Sequence, residues 1–446
     1  MKRKEAVKRK EARECLSQLR LACELVKLIR RFFPDLLPRL GAVSDPRHPS
    51  YITYKGHVLL MTRILSSIFY ISSMRKTSEE FNSDTVISNI GYICKEELTE
   101  LPYWETINEY LKRLKSDELQ GIICQLVRRL IRSRAFENAR IRGKYWQVII
   151  DGTQLVSSRK KLDGECLYRI HKKGTKEEYT EYYYYVLEAK LYLHKDIYVS
   201  IMTEFVENRE EEMEKQDCEL KACYRLMERL KKEFPMLRIC ISGDSLYACQ
   251  GIFKECRKKN WKYLIRFKKG RIPVIYEEYE TIRALEKNYH EKGKEGDRSW
   301  EDYVNGIEYE GDKVNVVEYG EEKGMEKKRF IYITNLPVKR KRVKEVIESG
   351  RRRWGIENQG FNTQKRQGYH LEHRYSHSYQ GMKNHYLLIQ IGHMISQVME
   401  GVEKLWKEIR QSREQKHKRM LESWKGIRVE EYIEIEEMER TQYRFA

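Results

Sequence analysis

The stretch YWQVIIDGTQ, residues 145–154, decides how the rest of the chain is read. The run from Tyr145 to Ile150 is apolar and rich in β-branched and aromatic residues, the composition of a buried strand. It delivers Asp151 where the strand stops, beside Gly152, so a carboxylate stands at the mouth of a sheet. Working outward, Tyr182–Leu193 and Ile197–Val206 have the same Tyr, Val and Ile texture, and three consecutive strands fit. A helix over about 210–233 follows, with Leu220, Cys223, Leu226, Met227 and Leu230 on its inner face. Then come a strand at Leu237–Ser242, a helix at Leu246–Lys259 and a strand at Tyr263–Phe267. Strands and helices in that order predict an α/β fold.

Upstream, apolar residues spaced three and four apart (Cys15, Leu19, Cys23, Val26; Leu119, Ile122, Leu126, Leu130) predict an all-α N-terminal domain over 1–140. The first part of the α/β core occupies 141–269. Between 270 and 330 the periodicity weakens and 16 acids face 11 bases, which reads as an inserted, β-containing segment. A strand at Phe330–Thr334 and a basic helix resume the core over 331–400. A helical tail with alternating charges occupies 401–446.

The whole chain, 446 residues, carries 87 Lys+Arg against 68 Asp+Glu, a net charge of +19. Such a field attracts polyanions, which makes nucleic acid the leading partner class. The first 40 residues hold 12 basic and 5 acidic side chains, a candidate grip on phosphates or simply a solvated helix face. No apolar run reaches the roughly 18 residues of a membrane span, and the N-terminal residues lack the apolar stretch of a signal peptide. A cytoplasmic protein is expected. The ten cysteines contain no Cys-x-x-Cys pair and read as reduced core thiols rather than zinc ligands.

Asp244 repeats the geometry of Asp151: it follows Ile239-Cys240-Ile241 and neighbours Gly243. An Asp beside a Gly is ordinary turn chemistry when taken alone, but two strand-end aspartates of one sheet can converge. A third acid, Glu357, lies four residues after Arg353, on the same face of a helix. The bland reading of that pair is a surface ion pair. Trp354, Ile356 and Phe361 surround Glu357 with bulky apolar groups, which favours a helix packed on the sheet with its acid facing something functional. Three acids so delivered make an oxygen-ligand site for hard divalent cations.

These residues resemble the DDE transposases of bacterial insertion sequences, in particular those with a Tyr-x2-Arg-x3-Glu-x6-Lys signature. The resemblance rests on IIDGTQ around Asp151, ISGDSLYA around Asp244 and RRRWGIENQGFNTQKRQGYHLEH around Glu357, and covers roughly residues 140–385. Arg353 and Glu357 match the signature in place, while Gly350 stands where it has Tyr. Gln364 stands where it has Lys, with Lys365 one residue later. The resemblance implies a ribonuclease-H-like mixed sheet flanked by helices, with Asp151, Asp244 and Glu357 holding two Mg²⁺ ions that Mn²⁺ could replace. It also implies that Arg351, Arg352, Arg353 and Lys365 contact DNA, that the partners are the element's terminal inverted repeats and target DNA, and that the protein works as a homodimer. The implied activity is metal-dependent DNA cleavage followed by strand transfer. A nuclease of the same fold without strand transfer, or an inactive DNA-binding relic, remains the alternative.

Other features read as structural first. His370, His373 and His377 have no Cys partners nearby and favour packing or DNA contact over zinc. Tyr182 to Tyr185 alternate faces on a strand, as cross-strand packing requires. Trp300, in the acidic insertion, is more readily a packed residue than a platform for a flipped base.

Overall fold

The computed structural model describes residues 20–208, 216–286, 288–294, 296–402, 412–433, 443 and 445. The basic residues among the first 19, the start of the expected helix at 210, and parts of the tail (403–411 and 434–442) lie outside the described residues. Seven helices come first: α1 Leu21–Phe32, α2 Leu36–Gly41, α3 Gly56–Ile68, α4 Met74–Glu80, α5 Asp84–Cys94, α6 Trp104–Arg113 and α7 Ser116–Arg132. Strands β1 Trp146–Ser158, β2 Leu167–His171, β3 Tyr179–His194 and β4 Ile197–Val206 follow. Next are α8 Glu219–Glu233, β5 Ile239–Gly243, α9 Gln250–Lys258, β6 Lys262–Phe267 and α10 Pro273–Leu285. A meander, β7 His290–Lys294, β8 Asp297–Tyr309, β9 Asp312–Lys323 and β10 Glu326–Thr334, leads into α11 Val343–Arg351. A π-helical segment, Ile356–Asn362, joins it to α12 Thr363–Arg366, α13 Tyr379–Glu400 and α14 Arg413–Gly426.

The chain divides into two compact units. One comprises residues 1–136, 155–183 and 361–446. At its centre is α13, buried from Tyr379 to Met399 save a few positions, its polar Asn384, His385, Gln390 and His393 included, and it packs on α3, α6 and α7. A helix buried on every side has neighbours all round it, here the N-terminal helices, and residues 361–400, expected with the α/β core, are grouped with them. In the same unit α14 rests on α1 and α5, and Asn89 on α5 fastens it by donating to the carbonyls of Trp424 and Ile427 at 2.9 and 2.8 Å.

The other unit comprises residues 137–154 and 184–360. Its sheet runs β3-β1-β5-β6-β10-β9-β8-β7, with β4 on β3; β2 pairs with residues 179–183 of β3, which belong to the first unit. Strands β1, β5 and β6 are parallel neighbours, and β10, β9, β8 and β7 continue antiparallel. The mixed α/β sheet flanked by helices is therefore present as expected. Segment 270–330 extends that sheet. Val317 and Phe330 share one hydrophobic cluster with Cys240, Leu264, Val346 and Ile347 of the neighbouring elements. Trp300 belongs to this packing: it is 5% exposed, and its indole Nε1 donates to Glu318 at 2.8 Å.

Candidate active site

The parallel pairing of β1 with β5 places Ile149 opposite Ser242. Asp151 and Asp244 each follow two residues later, so they leave adjacent strands, roughly 4.8 Å apart in such a sheet, at matching positions. The sequence reading had β1 stop at Asp151. Instead only its pairing with β5 ends there, and β1 itself runs on to Ser158. Gly152 donates its N–H to Asp151 Oδ1 at 3.1 Å, and Asp244 Oδ1 accepts from Leu246 N–H at 2.7 Å, capping the short 3₁₀ turn Ser245–Tyr247. Each carboxylate is fixed by the chain just beyond it, which is the turn chemistry anticipated for Asp beside Gly.

Arg353 reaches the same place, with Nη1 3.8 Å from Asp151 Oδ2. A buried amide helps set its approach: Gln147 on β1 donates to Ser242 Oγ on β5 at 2.9 Å and to the Ser349 carbonyl on α11 at 2.6 Å. Asp151 is pushed up to about 7, first by burial. Arg353 pulls it down, and Glu219 and Asp244 push it up again. A buried carboxyl surrounded by more negative than positive charge holds its proton for want of a cation.

Glu219, the first residue of α8, is the member of this group that the sequence reading missed. Its Oε2 accepts from the Tyr185 hydroxyl at 2.6 Å and its Oε1 from the Tyr247 hydroxyl at 2.5 Å. A Cβ at Gly152 would collide with both the Tyr185 hydroxyl and Glu219 Oε2, so only glycine lets the chain after Asp151 pass this cluster. No local pattern announces Glu219; its partners lie 34 and 28 residues away and meet it only through the sheet.

Glu357 is placed differently from expectation. The helix that begins at Val343 is interrupted at Arg352 and Arg353, and Glu357 lies on the π-helical segment Ile356–Asn362. The assumption that Arg353 and Glu357 share one α-helical face therefore fails, because a π turn takes more residues than an α turn and shifts every later side chain. Glu357 is exposed, Ile356 is buried, and Trp354 is 46% exposed with its ring edge-on to Phe330. Among the described residues no three His, Cys, Asp or Glu side chains form a ready metal cluster. The donors that do converge, Asp151 and Asp244, offer oxygen alone, the ligand type of hard divalent cations.

The other basic candidates are distributed around this unit and the next. Arg351 lies over the rings of Tyr319 and Phe330 at 5.3 and 5.6 Å, and Arg352 over Tyr192 at 4.2 Å. Lys339, Arg340, Lys341 and Arg342 are all exposed just before α11. Lys365 belongs to the first unit, where its Nζ stands 3.0 Å from Glu372, and Gln364 is fully buried, donating to Gln390 at 2.8 Å. His370, His373 and His377 are in that unit too, and burial lowers the proton affinity of the first two. Tyr184 is core, and Tyr185 serves Glu219. Seven of the nine described cysteines are buried, and all nine are free thiols. No helix among the described residues is long and apolar enough to cross a membrane.

Residues 219–395 match the family model of the transposase DDE domain. The match contains Asp244 and Glu357, and Asp151 precedes it. No curated protein matches the sequence. Among solved structures, the piggyBac transposase in a synaptic complex with hairpin DNA aligns at 11% identity over 94% of this chain and 84% of that chain, with a TM-score of 0.39.

Proposed function

We propose that this protein is a DDE-type transposase that binds the terminal inverted repeats of a mobile element, cuts the DNA there and joins the freed end to target DNA, using Asp151, Asp244 and Glu357 as its catalytic carboxylates. The observation that carries the reading is the register of β1 on β5, which leaves Asp151 and Asp244 at equivalent ends of neighbouring parallel strands. Asp151 and Asp244 would hold divalent cations, two Mg²⁺ in the full form of the proposal, and Glu357 would complete the set once DNA is bound. Such ions activate the attacking oxygen and offset charge on the leaving one.

The chain's own residues set the conditions for this chemistry. Asp151 carries a proton in the metal-free protein up to about pH 7 and must release it to act as a ligand. Arg353, 3.8 Å from Asp151, favours that release by its positive charge and would take a DNA phosphate brought to the site. The exposed bases from Lys339 to Arg342, together with Arg351 and Arg352, supply the phosphate contacts that hold DNA without reading its sequence.

Two steps follow. Water attacks the phosphorus at the element's end and the P–O3′ bond breaks, leaving a 3′-hydroxyl and a 5′-phosphate. That hydroxyl then attacks a target phosphodiester, forming a new P–O bond while the target's own 3′-oxygen leaves with a proton. Handling both ends at once calls for two copies of the chain, so the working species is a homodimer on DNA.

The test is an incubation of labelled element ends with supercoiled plasmid and Mg²⁺. Label appearing in the plasmid, with duplicated target sequence at the junction, is the expected product. Cut ends with no joined product favour a nuclease of the same fold, and intact ends with retained binding favour an inactive relic.

A further inference from the structure

Glu219 is bound more tightly into the site than a stray acid would be. It opens α8, the next named element after β4, and each of its oxygens accepts a phenolic hydroxyl from a different element. Tyr185 comes from β3, the neighbour of β1 on the side away from β5. Tyr247 closes the 3₁₀ turn that begins at Asp244, and its ring fills the space that a Cβ at Gly243 would need. Tyr247 is 1% exposed, and burial together with Glu219 keeps its hydroxyl protonated and donating. Gly152, immediately after Asp151, is the position at which the cluster meets β1. Four pieces of chain therefore converge on one carboxylate: β3, the β1 segment that carries Asp151, the turn that carries Asp244, and the start of α8.

A carboxylate placed only to satisfy two tyrosines would be an expensive choice, since a neutral acceptor would serve them without adding charge near two acids. Its charge does have a use where a cation is to bind. Outer carboxylates that orient and electrostatically support ligating groups are a general feature of metal centres, and their loss weakens metal affinity without removing a ligand.

We propose that Glu219 is a positioning residue for the aspartate pair: held by Tyr185 and Tyr247, it fixes the ends that carry Asp151 and Asp244 and strengthens the hold of that pair on a divalent cation. This rests on the reading of Asp151 and Asp244 as cation ligands. It is distinct from a ligand role, because both Glu219 oxygens are already engaged as hydrogen-bond acceptors.

The experiment is Mn²⁺ titration of the full-length, metal-free protein, followed by the loss of the free-ion electron paramagnetic signal, with melting temperature measured on each variant. Asp151→Asn and Asp244→Asn are expected to abolish specific binding. Glu219→Gln is expected to weaken it about tenfold, with an unchanged melting temperature, and its DNA cleavage should be restored by excess Mn²⁺. Tyr185→Phe and Tyr247→Phe should each weaken binding by less, in the same direction, and they carry the test if Glu219→Gln fails to fold. Affinity unchanged in Glu219→Gln, or in both tyrosine variants should that protein not fold, overturns the inference while leaving the aspartate reading intact. Loss in Glu219→Gln as complete as in Asp151→Asn makes Glu219 a ligand and also overturns it. Retention of binding by both Asp→Asn variants removes the reading beneath it and the inference with it.

Discussion

Arg353 Nη1 stands 3.8 Å from Asp151 Oδ2, a distance that lets the guanidinium bias the carboxylate without closing a tight pair. Asp151 is thus left free to take another cationic partner. Removing the arginine by Arg353→Ala should push the Asp151 proton affinity further up, because the one positive group acting on it is lost. Cleavage at neutral pH is expected to fall by about tenfold, and the rising limb of the pH–rate profile to move to higher pH. A profile that keeps its position while the rate falls would assign Arg353 to DNA contact alone.

Asp151 also carries a stability cost. An unfolded Asp releases its proton near 3.8, whereas the folded one holds it up to about 7. Between those values the folded state binds more protons, so stability falls as pH rises through the window, and the penalty is complete above about pH 7. Asp151→Asn should therefore stabilise the metal-free protein at pH 8, by on the order of 2 kcal/mol, and make no difference near pH 3.5. Denaturant melts at the two pH values measure this, and equal stability of the variant and the wild type at pH 8 would count against a buried, uncompensated Asp151.

Lys339, Arg340, Lys341 and Arg342 are exposed immediately before the helix that leads to Arg353. If they displace phosphate counterions, replacing all four by Ala should flatten the log–log salt dependence of DNA binding by about 2 to 3. An unchanged slope would move the DNA track elsewhere on the protein.

Trp300 is held by Glu318, which also accepts from Arg329 at 2.6 Å and from Tyr279 at 3.0 Å. Trp300→Phe should lose one buried hydrogen bond and destabilise the protein by about 1 kcal/mol, with DNA cleavage unchanged in the folded variant. A selective loss of cleavage at full stability would return Trp300 to the role of a base platform.

Much of this was legible in the sequence. The runs ending at Ile150 and Ile241 have the composition of buried strands, and the two aspartates that the sheet brings level lie one and three residues beyond them. Periodicity was sufficient for the apolar faces of α8 and α9 but not for their starts, since residues 216–218 are not helical and a 3₁₀ turn at Ser245–Tyr247 precedes α9. It failed where geometry departs from a single period. The break at Arg352 and Arg353 and the π turn that begins at Ile356 cannot be anticipated from α-helical phase, so the relation of Arg353 to Glu357 was misjudged. The grouping of α13 with the N-terminal helices was hidden for a different reason: a helix with apolar residues scattered over all its faces does not say which partners will cover it. Glu219 was invisible because its meaning lies in hydroxyls from distant parts of the chain.

The central claim is that Asp151, Asp244 and Glu357 act as one catalytic set, and the most direct measurement compares cleavage of a labelled element end in Mg²⁺ with end binding by gel shift for Asp151→Asn, Asp244→Asn and Glu357→Gln. Phosphate contacts supply most of the affinity, whereas the carboxylates serve the transition state. The account predicts that all three variants bind the end about as well as the wild type and that none of them cuts it. Cleavage by Glu357→Gln at a rate near that of the wild type would contradict the third assignment, and cleavage by either aspartate variant would contradict the site itself.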